Sequence, residues 1–195
     1  GCGVVTGAVR PHGSATGSRV LGGSHTRAGS TGPGRSVGRV AGQLGAAVEL
    51  EAAAIDAAHI KGASSSAVQR IVSSILKDHL GVDEEVVLTP ETGIVSRPRP
   101  DFFYRIGPGE GVIAEVERGG TVTNNHDLKD IWKAHIAPDA QHLFLIVPNS
   151  NWREDGHSRE RPFLRVTHRV GAFFGDPRRE IDVLTCHVFG YGRLT

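Results

Sequence analysis

Apolar positions along the chain recur in two ways, and each recurrence predicts a different kind of element. From Arg39 to about Ala63, Val40, Leu44, Ala47, Val48, Ile55 and Ala58 return near helical spacing among strong helix formers, which predicts an amphipathic helix. A second helix is predicted behind the capping serines Ser64, Ser65 and Ser66, with Val68, Ile71, Val72, Ile75, Leu76 and Leu80 on one side and Gly81 closing it. A third follows Thr121 to Asn125, with Leu128, Ile131, Trp132 and Ile136 as its apolar stripe, and Phe163 to Phe174 supplies a fourth. Strands are predicted at Val86-Val87-Leu88 and from Ile181 through Phe189. The nearly unbroken apolar run from His142 to Val147, stopped by Pro148-Asn149, predicts a strand buried on both faces.

The stretch from Asp101 to Glu117 has the shorter period. Asp101 to Ile106 and Val112 to Glu117 flank the turn-forming run Gly107-Pro108-Gly109-Glu110-Gly111, so the segment predicts a β-hairpin. A turn centred on Gly109 pairs Ile106 with Val112, Tyr104 with Ala114 and Phe102 with Val116, giving one apolar face. The opposite face then carries Asp101, Phe103 and Arg105 against Ile113, Glu115 and Glu117, with Asp101 opposite Glu117 and diagonal to Glu115. Carboxylates about 4–5 Å apart repel by roughly 3–4 kcal/mol at an effective dielectric of about 20. That cluster calls for a proton or a hard divalent cation, unless the hairpin is a solvated edge.

The run Pro100-Asp101, a gap of about a dozen residues, and Glu115-Val116-Glu117 resembles the signature of the PD-(D/E)XK nuclease superfamily, which includes many restriction endonucleases. The resemblance extends over residues 40–195 and has one departure, an E-x-E variant in which Glu117 stands where the superfamily usually has lysine. It implies an α/β fold with a restriction-endonuclease-like mixed central sheet flanked by helices, and a metal-dependent endonuclease that hydrolyses DNA phosphodiester bonds. It also implies that Asp101 and Glu115 hold Mg2+ or Mn2+, with Glu117 as base or further ligand. A carboxylate from an N-terminal helix often joins such a site; Glu51, which interrupts the apolar stripe between Ala47 and Ile55, is preferred to Glu49 as that ligand. Lys129 is the candidate for the missing positive charge, and Arg118, Asn124, Asn125, Lys129 and Lys133 are candidates to face DNA. His126 is the histidine to watch beside the site. The alternative is a catalytically inactive nucleic-acid-binding or assembly protein on the same fold, which the absent lysine favours.

Composition narrows this further. With 195 residues, 38% of them hydrophobic, residues 39–195 suffice for one nuclease-like domain. A net charge of +1 argues against a wholly basic coat, so any contact with DNA must be local. Cys2 and Cys186 show no metal-ligand spacing, as expected of a reduced protein, and none of the ten histidines falls in an HExxH pattern. The absence of a long apolar run predicts a cytoplasmic protein with no membrane partner, and a homodimer is left open. Residues 1–38, rich in Gly, Ser and Arg, are expected to be a disordered leader. Ser150 to Pro162 reads as a solvated loop or a substrate loop.

Overall fold

The computed structural model describes residues 21–26, 34–59, 65–80, 83–84, 98–118, 121–152, 157–175, 178 and 181–193. Its centre is a six-stranded mixed sheet. In chain order the strands and helices are β1 (Leu21–Thr26), α1 (Gly34–Leu50), α2 (Ala52–Ala58), α3 (Ser65–Leu80), β2 (Asp83–Glu84), β3 (Phe102–Gly107), β4 (Glu110–Val116), α4 (His126–Ile136), β5 (His142–Pro148), β6 (Asn151–Trp152), β7 (Ser158–Glu160), α5 (Pro162–Gly175) and β8 (Thr185–Tyr191). The sheet runs β1-β8-β5-β4-β3-β2, and β6 with β7 forms a separate two-stranded ribbon. β4, β5 and β8 are mutually parallel, joined through α4 and α5, whereas β1, β2 and β3 pair antiparallel with their neighbours. This is the α/β arrangement expected when helical crossovers link parallel strands.

Side-chain alternation divides the interior into two cores. Phe102, Val112, Ala114, Phe144, Ile146, Phe189 and Tyr191 pack against α1, α2 and α3. Phe103, Ile113, Leu143, Leu145, Val147, Cys186 and Val188 pack against α4 and α5. β5, central and buried at all seven positions, contributes to both, which accounts for its unbroken apolar run. Burying each such aliphatic side chain contributes about 1.5–3 kcal/mol. Among the described residues no helix is long and apolar enough to cross a membrane.

Several expectations need correction. Part of the expected leader is structured: Leu21–Thr26 pairs antiparallel with β8, and α1 begins at Gly34. The strand expected at Val86-Val87-Leu88 lies outside the described residues. The hairpin pairs Phe102 with Ala114, Phe103 with Ile113 and Tyr104 with Val112, two residues away from the expected register. Its turn puts Pro108 second and Gly109, at φ 66°, third, the positions that a type II turn demands, and an irregularity between Arg105 and Gly107 absorbs the extra residue. A two-residue shift preserves the faces, so Asp101, Glu115 and Glu117 still belong to one side, but Asp101 lies level with Glu115 instead of Glu117.

Helix rotation accounts for two more differences. The first expected helix breaks at Glu51 (φ −89°, ψ 10°), and Glu51 is exposed although Ala47 and Ile55 on either side are buried. In α4 the inward residues are Asp127, Asp130, Ile131 and Ala134, and Trp132, expected in the stripe, is 54% exposed.

Candidate active site

The carboxyl ends of β4 and β5 open into a cleft of about 880 Å3, the usual position for a ligand in an open α/β sheet. Asp101, Glu115, Glu117, Arg118, His126 and Lys133 line it near the hairpin. The backbone clamps the first two carboxylates reciprocally. The Asp101 N–H donates to Glu115 Oε2 (3.3 Å), and the Val116 N–H donates to Asp101 Oδ2 (3.0 Å). These bonds hold both side chains at one level of the hairpin.

Lys133 reaches this pair from α4. Its Nζ donates to Glu115 Oε1 at 2.9 Å and stands 3.1 Å from Asp130 Oδ1. Glu115 and Asp130 are each 2% exposed, so the arrangement is a half-buried lysine between two buried carboxyls. Burial raises the Glu115 pKa, Lys133 opposes that rise and Asp101 adds to it. Burial likewise raises Asp130, reinforced by the Glu115 charge. Burial works against the Lys133 charge, yet Asp130 and Glu115 together hold its pKa above the ordinary lysine value. Two buried carboxyls facing one cation retain unrelieved negative charge, which a further cation or proton would offset.

Glu117 belongs to a different pair. His126 Nδ1–H donates to Glu117 Oε2 at 2.8 Å; because a carboxylate accepts, the bond places a proton on Nδ1, and in the neutral ring the lone pair is then on Nε2. The buried Tyr191 hydroxyl donates to the Glu117 carbonyl oxygen at 2.7 Å and steadies the strand end.

The sequence-predicted residues thus divide. Asp101, Glu115, Glu117, Arg118, Asn124 and Lys133 line the cleft; Glu51, Asn125 and Lys129 are not among its lining residues. Lys129 is exposed, and the lysine of α4 that meets Glu115 is Lys133. Asn125 adopts the left-handed conformation (φ 54°) at the start of α4, and its side-chain oxygen accepts from Arg169, which also pairs with the fully buried Asp127 at 3.1 Å. Asp130 is part of the buried network.

The cleft also contains residues from the N-terminal helices and from the segment 150–162, which carries the β6–β7 ribbon. His59, just beyond α2, replaces Glu51 as the contribution of the N-terminal helices. Its Nε2–H donates to the Ser150 carbonyl at 3.1 Å, its ring meets Tyr191 edge-on, and burial lowers its pKa. Gln69, Asn151, Trp152, Arg159 and Glu160 complete the lining from α3, β6 and β7. The inward carboxylates of α4 had a sequence signal, because Asp127, Asp130, Ile131 and Ala134 have the i, i+3, i+4, i+7 spacing of one helix face.

Among the described residues no three His, Cys, Asp or Glu side chains group closely enough to share one ion. The expected three-carboxylate cluster is therefore a pair, Asp101 and Glu115, with Glu117 turned to His126. Two clamped carboxylates still suit Mg2+ or Mn2+, which are commonly held by one or two protein carboxylates together with water and substrate phosphate. The raised Glu115 carboxyl, burdened by Asp101, has the electrostatics that such a cation would relieve. No protein-family model matches the chain, and no curated protein matches it.

Proposed function

We propose that this chain is a Mg2+- or Mn2+-dependent DNA endonuclease of the restriction-endonuclease-like, PD-(D/E)XK kind. The observation that carries the reading is the reciprocally clamped Asp101–Glu115 pair at the carboxyl end of β4, with a lysine delivered to it from the crossover helix. Asp101 and Glu115 would hold the ion. When bound, the ion neutralises phosphate charge and lowers the pKa of water.

The remaining work falls to the chain itself. Lys133 supplies the positive charge that the E-x-E variant lacks at Glu117, and it stabilises negative charge developing on the phosphate. Glu117 holds His126 in the tautomer whose Nε2 is free of a proton. As water oxygen bonds to phosphorus and the bond to the leaving sugar oxygen breaks, His126 Nε2 takes the water proton and Glu117 stabilises the imidazolium. Arg118, on the same lining, bears on the backbone of the substrate.

One observation favours the second reading, an inactive nucleic-acid-binding or assembly protein: Lys133 is committed to two buried carboxyls, as a structural ion pair would be. Plasmid and oligonucleotide cleavage across magnesium concentrations separates the two. The expected result is magnesium-dependent cleavage by wild type, lost in Asp101→Asn and reduced by at least about 100-fold in His126→Ala, the lower range for a general base. DNA binding without cleavage at any magnesium concentration supports the inactive reading. Cleavage unaffected by Asp101→Asn overturns the assignment.

A further inference from the structure

The wall of the cleft beyond the carboxylates is a built surface. In the β6–β7 ribbon the Asn151 amide donates to Glu160 Oε1 at 2.7 Å, tying the two strands across from one another. The preceding carbonyl, Ser150, is fastened to His59 at 3.1 Å, which fixes the base of the ribbon against the end of α2. On this anchored ribbon the half-buried Trp152 lines the cleft, and the Gln69 and Asn124 amides share the lining.

Charge in the cleft points the same way. Its described lining includes the carboxylates Asp101, Glu115, Glu117 and Glu160, but only Arg118, Lys133 and Arg159 as permanent cations. Lys133 is already held by Glu115 and Asp130. Duplex DNA is bound chiefly through many phosphate neutralisations, and the cations of the described lining, Arg118, Lys133 and Arg159, offer few of them. Single strands add to their phosphate contacts the stacking of bases on aromatic side chains, and their base faces are open to it. In an intact duplex those faces are closed by neighbouring base pairs.

Resting on the nuclease reading, we infer that the substrate of this cleft is a single-stranded nucleic-acid segment, with an unstacked base seated on Trp152 and its polar edge met by the Gln69 and Asn124 amides. The ribbon is then the element that selects substrate, and the hairpin the element that cuts it. An unpaired base bulged from a duplex offers the same chemistry, so the two sources are compared directly.

The test measures anisotropy of labelled oligothymidylate, an intact duplex of equal length and a duplex with one bulged thymidine, with calcium replacing magnesium. Wild type is expected to bind the single strand about tenfold or more tightly than the intact duplex, and Trp152→Ala to lose about tenfold for the single strand. Trp152→Phe should recover most of that affinity, which separates stacking from misfolding, and Trp132→Ala, at an exposed site on α4, should change nothing. Bulged duplex matching the single strand supports the inference and widens the source; bulged duplex binding like intact duplex supports it for single strands alone. Equal or tighter binding of intact duplex, or binding indifferent to Trp152→Ala, overturns it. Magnesium-dependent cleavage of duplex that is indifferent to Trp152 ends this inference and leaves the nuclease reading standing. Trp152-dependent binding of single strands without cleavage does the reverse, and the absence of both binding and cleavage ends both.

Discussion

Replacing Lys133 with methionine keeps much of the side-chain stem and removes the charge lying 2.9 Å from Glu115 and 3.1 Å from Asp130. The two carboxyl side chains are 2% and 3% exposed, so the variant confronts like charges in a site that water hardly reaches. Stranding one side of a buried pair costs about 3–5 kcal/mol. Proton uptake limits that loss. Both carboxyls already titrate above the ordinary range because of burial, and without Lys133 they rise further. The folded variant therefore carries protons that the unfolded chain, with its ordinary carboxyls, has released, and its stability falls as pH rises. Each retained proton contributes a slope of about 1.4 kcal/mol per pH unit. Urea unfolding in EDTA should show a loss of about 1 kcal/mol near pH 6 that grows to about 3–5 kcal/mol near pH 8. Adding Asp130→Asn to Lys133→Met should flatten that slope, since one of the two acids is gone. A loss independent of pH, or one below about 1 kcal/mol near pH 8, would refute the reasoning.

Two further predictions concern the scaffold. A Cβ at Gly111 would lie 2.5 Å from the Asp139 carbonyl oxygen and 2.5 Å from the Phe103 ring, so Gly111→Ala should cost about 1–3 kcal/mol, and an unchanged melting temperature counts against this packing. His142, 1% exposed, has its pKa pushed down to about 4 by burial, below the ordinary 6.5. Its neutral form is the one that folds, so the stability it contributes is present above about pH 6.5 and is lost as pH falls toward 4, by up to about 3 kcal/mol. Unfolding of wild type and His142→Gln should converge on acidification; parallel profiles would dismiss the argument.

The parts of the site legible in sequence were those governed by a rigid period. Strand alternation placed Asp101, Glu115 and Glu117 on one face, a placement that the two-residue shift in register leaves intact, and the apolar run from His142 located the central strand. Register itself depended on how Pro108 and Gly109 close the turn and on an irregularity near Ile106, which alternation does not encode. In α4 the apolar stripe misled because the buried face includes Asp127 and Asp130; Lys133 meets Asp130 at the local i, i+3 spacing, but Arg169 reaches Asp127 from a distant position that no local pattern reveals. The same limit applies to Trp152 and His59. They line one cleft because the chain leaving β5 brings Ser150 to the end of α2, where its bond to His59 spans a sequence separation of 91 residues.

β1 has a consequence for the way the molecule avoids its own copies. β8 is seven residues long, apolar at most positions and bonded on its other side to β5. Without Leu21–Thr26, its outer edge would be a row of open N–H and C=O groups, a template on which another molecule's strand could assemble. The segment thus works by occupying hydrogen-bonding positions along β8. Deleting it should show first as self-association at high protein concentration, with the cleft chemistry on the far side of β5 left in place.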